Sequence, residues 1–163
     1  TRTHLRDAHH RVMSVATLQR QLASTATGKV ALRPYLTELC ASMSASMVGD
    51  PKLLKLRVEA DESITTADRS VSIGLIVTEL VINSLKHGFP QSHPYGNIVV
   101  GFHTLGKGWA LTVADDGIGF PGDHKQTLPG LGTGIVNALA TQLDAVVEVT
   151  SADPGTLVSI IHC

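Results

Sequence analysis

The stretch Thr78–Pro90, TELVINSLKHGFP, together with the apolar residues just before it, constrains this chain more than any other. Read as a helix, it carries Ile73, Leu75, Ile76, Val77, Leu80, Val81, Ile82 and Leu85 round most of its circumference, the pattern of a core helix. Glu79, Asn83, Lys86 and His87 then fall within one arc of roughly 100°. Polar groups gathered on one side of a core helix are costly unless something polar meets them. A solvated edge is the bland explanation. Two glycine-rich turns downstream, Gly117-Ile118-Gly119 and Gly130-Leu131-Gly132-Thr133-Gly134, favour a site.

The bulk numbers bound the rest. A length of 163 residues suits one domain, or one domain with a small appendage. Hydrophobic residues at 43% are enough for a core, and a net charge of -1 gives no footprint for nucleic acid or an anionic membrane. No apolar run approaches the ~20 residues of a membrane span, and no signal peptide is read before Thr1. The chain starts without Met, as expected of a piece of a longer protein. Cys40 and Cys163 make no disulfide framework. Cys40 sits in an apolar stripe and reads as a buried reduced thiol, which points to the cytosol.

Taken in order, residues from about Thr3 to Ser24 predict a helix, with Leu5, Ala8, Val12, Val15 and Leu22 at seam spacing. A second helix is predicted from about Arg33 to Val48, with Leu36, Cys40, Met43 and Met47 on one stripe. The two make a helical hairpin, which has too little core alone and is expected to pair by dimerising or packing on a neighbour. Gly49-Asp50-Pro51 ends this pattern and divides the chain into a hairpin at 1–50 and a second unit at 51–163. Beyond it, Leu53–Ala60 alternates as a strand, TTADRS caps the central helix, and Gly88 and Pro90 stop it. Asn97–Leu105 and Trp109–Asp115 read as a hairpin, Thr133–Leu143 as a helix, and Val146–Ser151 with Thr156–His162 as a last strand pair. The expected class is α+β: a helical hairpin, half of a four-helix bundle, followed by an α/β sandwich with a mixed sheet.

Asp115-Asp116-Gly117-Ile118-Gly119 ends a strand, and its glycines let backbone approach a ligand closely. The GLGTG stretch opens a helix, where unpaired N–H groups and the helix dipole suit phosphates. It is neither a Walker motif nor a Rossmann fingerprint, since no Lys-Ser/Thr follows and no βαβ unit frames it. An Asn-bearing helix, then DxGxG, then GxGxG at a helix start, then Gly155-Thr156 in a late strand resembles the Bergerat-type (GHKL) ATPase fold of sensor histidine kinases, Hsp90, gyrase and MutL-type proteins. The resemblance covers roughly Leu53–Cys163. It implies ATP and Mg²⁺ as cofactors, with Asn83 as the Mg²⁺ ligand and Asp115 accepting from the adenine amino group. It further implies Gly117 and Gly119 lining the adenine pocket, Thr156 supporting it through a water, Gly130, Gly132 and Gly134 flanking the triphosphate, and Lys86 or His87 neutralising charge.

Asp7-Ala8-His9-His10-Arg11-Val12 resembles the phosphoacceptor box of histidine kinases related to the HWE group, in which the acceptor His precedes Arg and Val. Met13 and Ser14 stand where Lys and Asn commonly follow, and no Trp-x-Glu signature is present, since Ala110-Leu111-Thr112 follows Trp109. With Leu5 and Val12 on the seam, His10 takes the most exposed heptad position, as an acceptor should. The implied function is a two-component sensor histidine kinase core in the bacterial cytoplasm. It would transfer the ATP γ-phosphoryl group to His10 and then to an Asp of a response-regulator receiver domain, with Glu79 or Asp7 orienting the ring or Glu79 taking its proton. A homodimer through the hairpin is expected, with a monomer docked on its own ATP domain as the alternative. Two other functions compete. A histidine phosphotransferase or scaffold would keep the hairpin and let the glycine boxes decay, and an anti-sigma-type serine kinase would lack the histidine helix. A metal site from His4, His9 and His10 fails on spacing.

Overall fold

A computed structural model describes residues 2–23, 28–119 and 131–163. Its first helix, α1 (Arg2–Ala23), is followed by the short strand β1 (Lys29–Ala31), the helix α2 (Leu32–Met47) and the strand β2 (Leu54–Ala60). Next come β3 (Ile64–Thr66), the central helix α3 (Ala67–His87), and the strands β4 (Gly96–Leu105) and β5 (Gly108–Asp115). The helix α4 (Leu131–Gln142) and the strands β6 (Val146–Ser151) and β7 (Thr156–His162) complete the chain. The main sheet runs β2-β4-β5-β7-β6, with β2 parallel to β4 and every other pair antiparallel. The class is α+β with a mixed sheet, as expected. Among the described helices none is long and apolar enough to cross a membrane.

Register places the core. Alternate residues of neighbouring strands align in rows on one face: Phe102, Leu111 and Ile160; then Val100, Val113 and Val158; then Ile98, Asp115 and Thr156. The first two rows are buried and apolar, and the third ends them with two polar side chains that are still buried. Ile73, Ile76, Val77 and Leu80 of α3 belong to the same hydrophobic cluster. Thr66 caps α3, accepting from the Arg69 N–H. Gly74 of that helix is where Tyr35 crosses, since a Cβ there would lie 1.8 Å from the Tyr35 hydroxyl oxygen.

The two N-terminal helices use their faces differently from expectation. They run antiparallel, with His10 beside Ser46 and Arg20 3.4 Å from Glu38. However, Leu32, Tyr35, Leu36, Leu39, Cys40 and Met43 of α2 are buried in the one cluster shared with α3 and the sheet. α2 therefore spends its stripe on the sandwich. The linkage is reinforced by a two-stranded ribbon of β1 with β3, and by the Leu32 N–H bonding to the Ser63 carbonyl. Neither short strand carries enough residues to show a period in the sequence.

α1 packs on α3 and α2 through the face bearing His10, Arg11 and Thr17. The exposed position expected for His10 is corrected here. Leu5 and Val12, assigned to the seam, are 72% and 66% exposed, and His10, assigned to the outside, is 4% exposed. The reason is a polar match: Arg11 reaches Glu79 and His10 meets Ser46, partners that leucine and valine cannot satisfy.

Candidate functional site

A cleft opens between the C-terminal half of α3 and the ends of β5 and β7. Leu80, Asn83, Ser84, His87, Gly88, Asp115, Gly119, Thr156 and Val158 line it. Two features build it. The i, i+4 spacing puts Leu80, Ser84 and Gly88 on one side of α3, with Asn83 and His87 beside them. The sheet register sets Asp115 directly opposite Thr156 at the end of an apolar ladder.

Asp115 is 8% exposed and is held from several directions. The Ser84 hydroxyl donates to Oδ2 at 2.9 Å and the Gly117 N–H donates to Oδ1 at 3.1 Å. Burial pushes its pKa above the ordinary value, opposed by the Ser84 hydroxyl and by the N–H groups of Gly117 and Thr156. An acceptor-only carboxylate at the floor of a mostly apolar cleft is suited to an amino group on a flat ring.

The turn after β5 requires glycine at Gly117, where a Cβ would lie 2.3 Å from the Gly88 carbonyl oxygen. Ile118 N–H bonds to that same oxygen at 2.9 Å, so the turn is clamped to the C-terminus of α3. Gly117 thus acts as a close-packed hinge of the wall, and the cleft surface itself is formed by Gly119, with φ +68. Asp116, one residue from the site, does structural work: it accepts from the Asn97 backbone N–H and, at 2.8 Å, from the Asn97 side chain.

Asn83 sits half-buried in the cleft, and its Nδ2 is buried with no hydrogen-bond partner among the described residues. An orphaned amide is costly in a fold and cheap in a ligand site. Turned by half a revolution, the same amide presents its oxygen, the donor type preferred by a hard divalent cation such as Mg²⁺. The residues present therefore fit that ion.

Of the predicted set, Asn83, His87, Asp115, Gly119 and Thr156 meet in this cleft. Lys86 is exposed and is not among the lining residues. Glu79, one turn before Asn83, is 2% exposed and accepts from the Arg11 side chain on α1. The helix predicted to open after GLG begins at Leu131, so Gly132 and Gly134 lie inside its first turns; Gly134 has open space around it. Gly130 and residues 120–129 lie outside the described residues, as does the side chain of Asp7. Ser84 is the residue that sequence reasoning missed. A hydroxyl beside Asn83 on an otherwise apolar helix was the available signal.

Comparison with known proteins agrees with this geometry. The family model for "Histidine kinase-, DNA gyrase B-, and HSP90-like ATPase" matches residues 68–162, more than half of the chain. Blue-light-activated histidine kinase 2 of Erythrobacter litoralis (strain HTCC2594) is 31% identical over 141 residues, covering 85% of this chain and 40% of that protein. Sensor histidine kinase PdtaS of Mycobacterium tuberculosis is 24% identical over 132 residues, covering 80% of this chain and 26% of that protein. The chain thus spans two fifths or less of these curated relatives. Among solved structures, the histidine kinase domain of the Erythrobacter litoralis EL346 blue-light activated kinase superimposes with a TM-score of 0.82 at 28% identity, covering 95% of this chain and 73% of that one. The Acinetobacter baumannii histidine kinase AdeS shares the fold, with a TM-score of 0.64 at 15% identity over 92% of this chain and 75% of that one.

Proposed function

The chain belongs to the family of histidine kinase-, DNA gyrase B- and HSP90-like ATPases, and on that footing we propose that it is the catalytic core of a two-component sensor histidine kinase. In this reading residues 51–163 bind ATP, and the helix within 1–50 carries the phosphoacceptor His10. The observation that carries it is the convergence of Asn83, Asp115, Gly119 and Thr156 in one cleft, next to a helix bearing a His-Arg-Val box. The names of the relatives support the same class, as does the HWE-related form of the box.

The chemistry follows from the side chains. Asp115, kept in place by Ser84 and two backbone N–H groups, accepts from the adenine amino group, and Thr156 supports it. Asn83 would hold Mg²⁺, which when bound neutralises phosphate charge. His87 at the cleft edge adds positive charge when protonated, and Lys86 serves the same end from just outside it. Gly132 and Gly134 in the first turns of α4 flank the triphosphate, a role shared with Gly130, which precedes them in the sequence. A His10 ring nitrogen forms a bond to the γ-phosphorus as the bond to the β,γ-bridging oxygen breaks and ADP leaves; the ring proton passes to a base, a role that Glu79 fits as a carboxylate one turn from Asn83. Transfer to an Asp of a receiver domain follows. A homodimer through the exposed Leu5–Val12 face of α1 suits this reading, since two large apolar residues one heptad apart stand in solvent there. A bacterial cytoplasmic setting follows from the same reading.

The test is incubation with γ-labelled ATP and Mg²⁺. Acid-labile label on the chain, absent from both His10→Ala and Asn83→Ala, is the expected result. Acid-stable label on a hydroxyl residue would refute the reading and favour a serine kinase, and intact protein with no nucleotide binding would favour a phosphotransferase or scaffold.

A further inference from the structure

His10 is buried between α1 and α2, its Nδ1 3.4 Å from the Ser46 hydroxyl, while its neighbour His9 is exposed. A ring nitrogen that attacks phosphorus needs an approach of about 3–3.5 Å with aligned geometry. Neither an ATP phosphate nor a receiver carboxylate can come that close to a ring covered by its own fold. α1 must turn or lift before His10 reacts.

The polar contacts that tie α1 to the rest of the described residues differ in weight. Arg20 with Glu38 joins two exposed side chains at 3.4 Å, a pair of little consequence in water. The Ser46 contact with His10 is long for a hydrogen bond. Arg11 with Glu79 is different, because the Glu79 side chain is almost wholly buried whereas Arg11 is one third exposed. Docked α1 without Arg11 would cover a carboxylate that lacked this cation, the costliest arrangement of the three. With α1 lifted, water reaches the carboxylate instead.

We propose that α1 is held in an acceptor-shielded position, and that Arg11 on Glu79 is the catch that keeps it there. This rests on the reading of His10 as the phosphoryl acceptor. The catch sits on the same side of α3 as Asn83, one turn away, so the acceptor helix is fastened to the helix that lines the nucleotide cleft. Arg11 is here a positioning residue: it sets whether the ring is available and takes no part in the bond changes.

The experiment is carbethoxylation by diethyl pyrocarbonate on the whole chain, read residue by residue by peptide mass spectrometry. In the unchanged protein His10 should react roughly tenfold or more slowly than His9. Arg11→Ala should bring His10 close to the rate of His9, and Arg11→Lys, which keeps the charge, should fall between. His162, stacked on Trp109 in the sheet, reports the integrity of the body and should not change. Equal rates at His9 and His10 in the unchanged protein would overturn the proposal, as would a slow His10 in Arg11→Ala. A rise at His162 alongside His10 would also overturn it, because the loosening would then be global. With γ-labelled ATP, Arg11→Ala should label His10 several-fold faster; slower labelling would make the pair part of the productive arrangement and sink the catch. Carbethoxylation needs no ATP, so it decides the shielding even where no label is taken up, a result that would instead count against the acceptor reading.

Discussion

Removing the Ser84 hydroxyl tests how the cleft reads its ligand. In the fold this group donates to Asp115 Oδ2 at 2.9 Å, leaving Oδ1 to the Gly117 N–H. A hydrogen bond to a charged group contributes about 1.5–3 kcal/mol. Ser84→Ala should therefore weaken ADP binding roughly tenfold or more at neutral pH, measured by calorimetry with EDTA present so that no metal enters the comparison. Inosine diphosphate, which lacks the amino group, should lose less. The pH dependence has a definite sign. Burial already raises the Asp115 pKa, and the Ser84 hydroxyl is the largest influence opposing it. ADP affinity should accordingly fall on acidification at a higher pH than an exposed carboxylate would give, and higher again in Ser84→Ala. The stability of the unliganded protein runs the other way, since an acid with a raised folded pKa loses stability as pH rises through that value. Wild-type affinity in Ser84→Ala with an unshifted pH profile would refute the assignment of Asp115 as the base reader.

Three further outcomes follow from packing. Gly74→Ala should destabilise by up to about 2 kcal/mol in urea unfolding: overpacking against Tyr35 costs about 1–3 kcal/mol, while helix propensity returns about 1. A more stable variant would mean that Tyr35 yields, and Tyr35→Phe in the same background should recover part of the loss. Gly117→Ala should cost more, because the atom in its way is the Gly88 backbone oxygen, and nucleotide binding should disappear with it. Burial pushes the Cys40 thiol up to about 12, so at pH 8 a disulfide reagent should titrate the exposed Cys163 and reach Cys40 only on unfolding; two fast thiols would contradict the packing of α2.

How much of this was legible depended on whether a feature repeats. The central helix, its Thr66 cap and the alternation of β4, β5 and β7 announced themselves through period and capping chemistry. The adjacency of Asn83 with the Asp115 turn came from the resemblance, carried by the order of the Asn-bearing helix and the two glycine-rich turns. Single contacts left no such trace. Ser84 on Asp115 is one hydroxyl, and β1 with β3 is three residues against three. The exposure of His10 was misread because seam spacing says nothing of what the opposite face of α1 meets, and that face docks through Arg11 and His10 on polar partners of two other helices.

The parallel pairing of β2 with β4 also bears on how the molecule comes into being. On a ribosome α2 emerges before its packing partners β2 and α3, and β2 itself joins the sheet only through β4. The pairs β4 with β5 and β6 with β7 join sequence neighbours and can assemble promptly, whereas β2 must wait until α3 and β4 have been synthesised, and β5 until β7 has. During that interval Leu36, Leu39 and Met43 lack the partners that bury them, and apolar surface left open in this way favours aggregation.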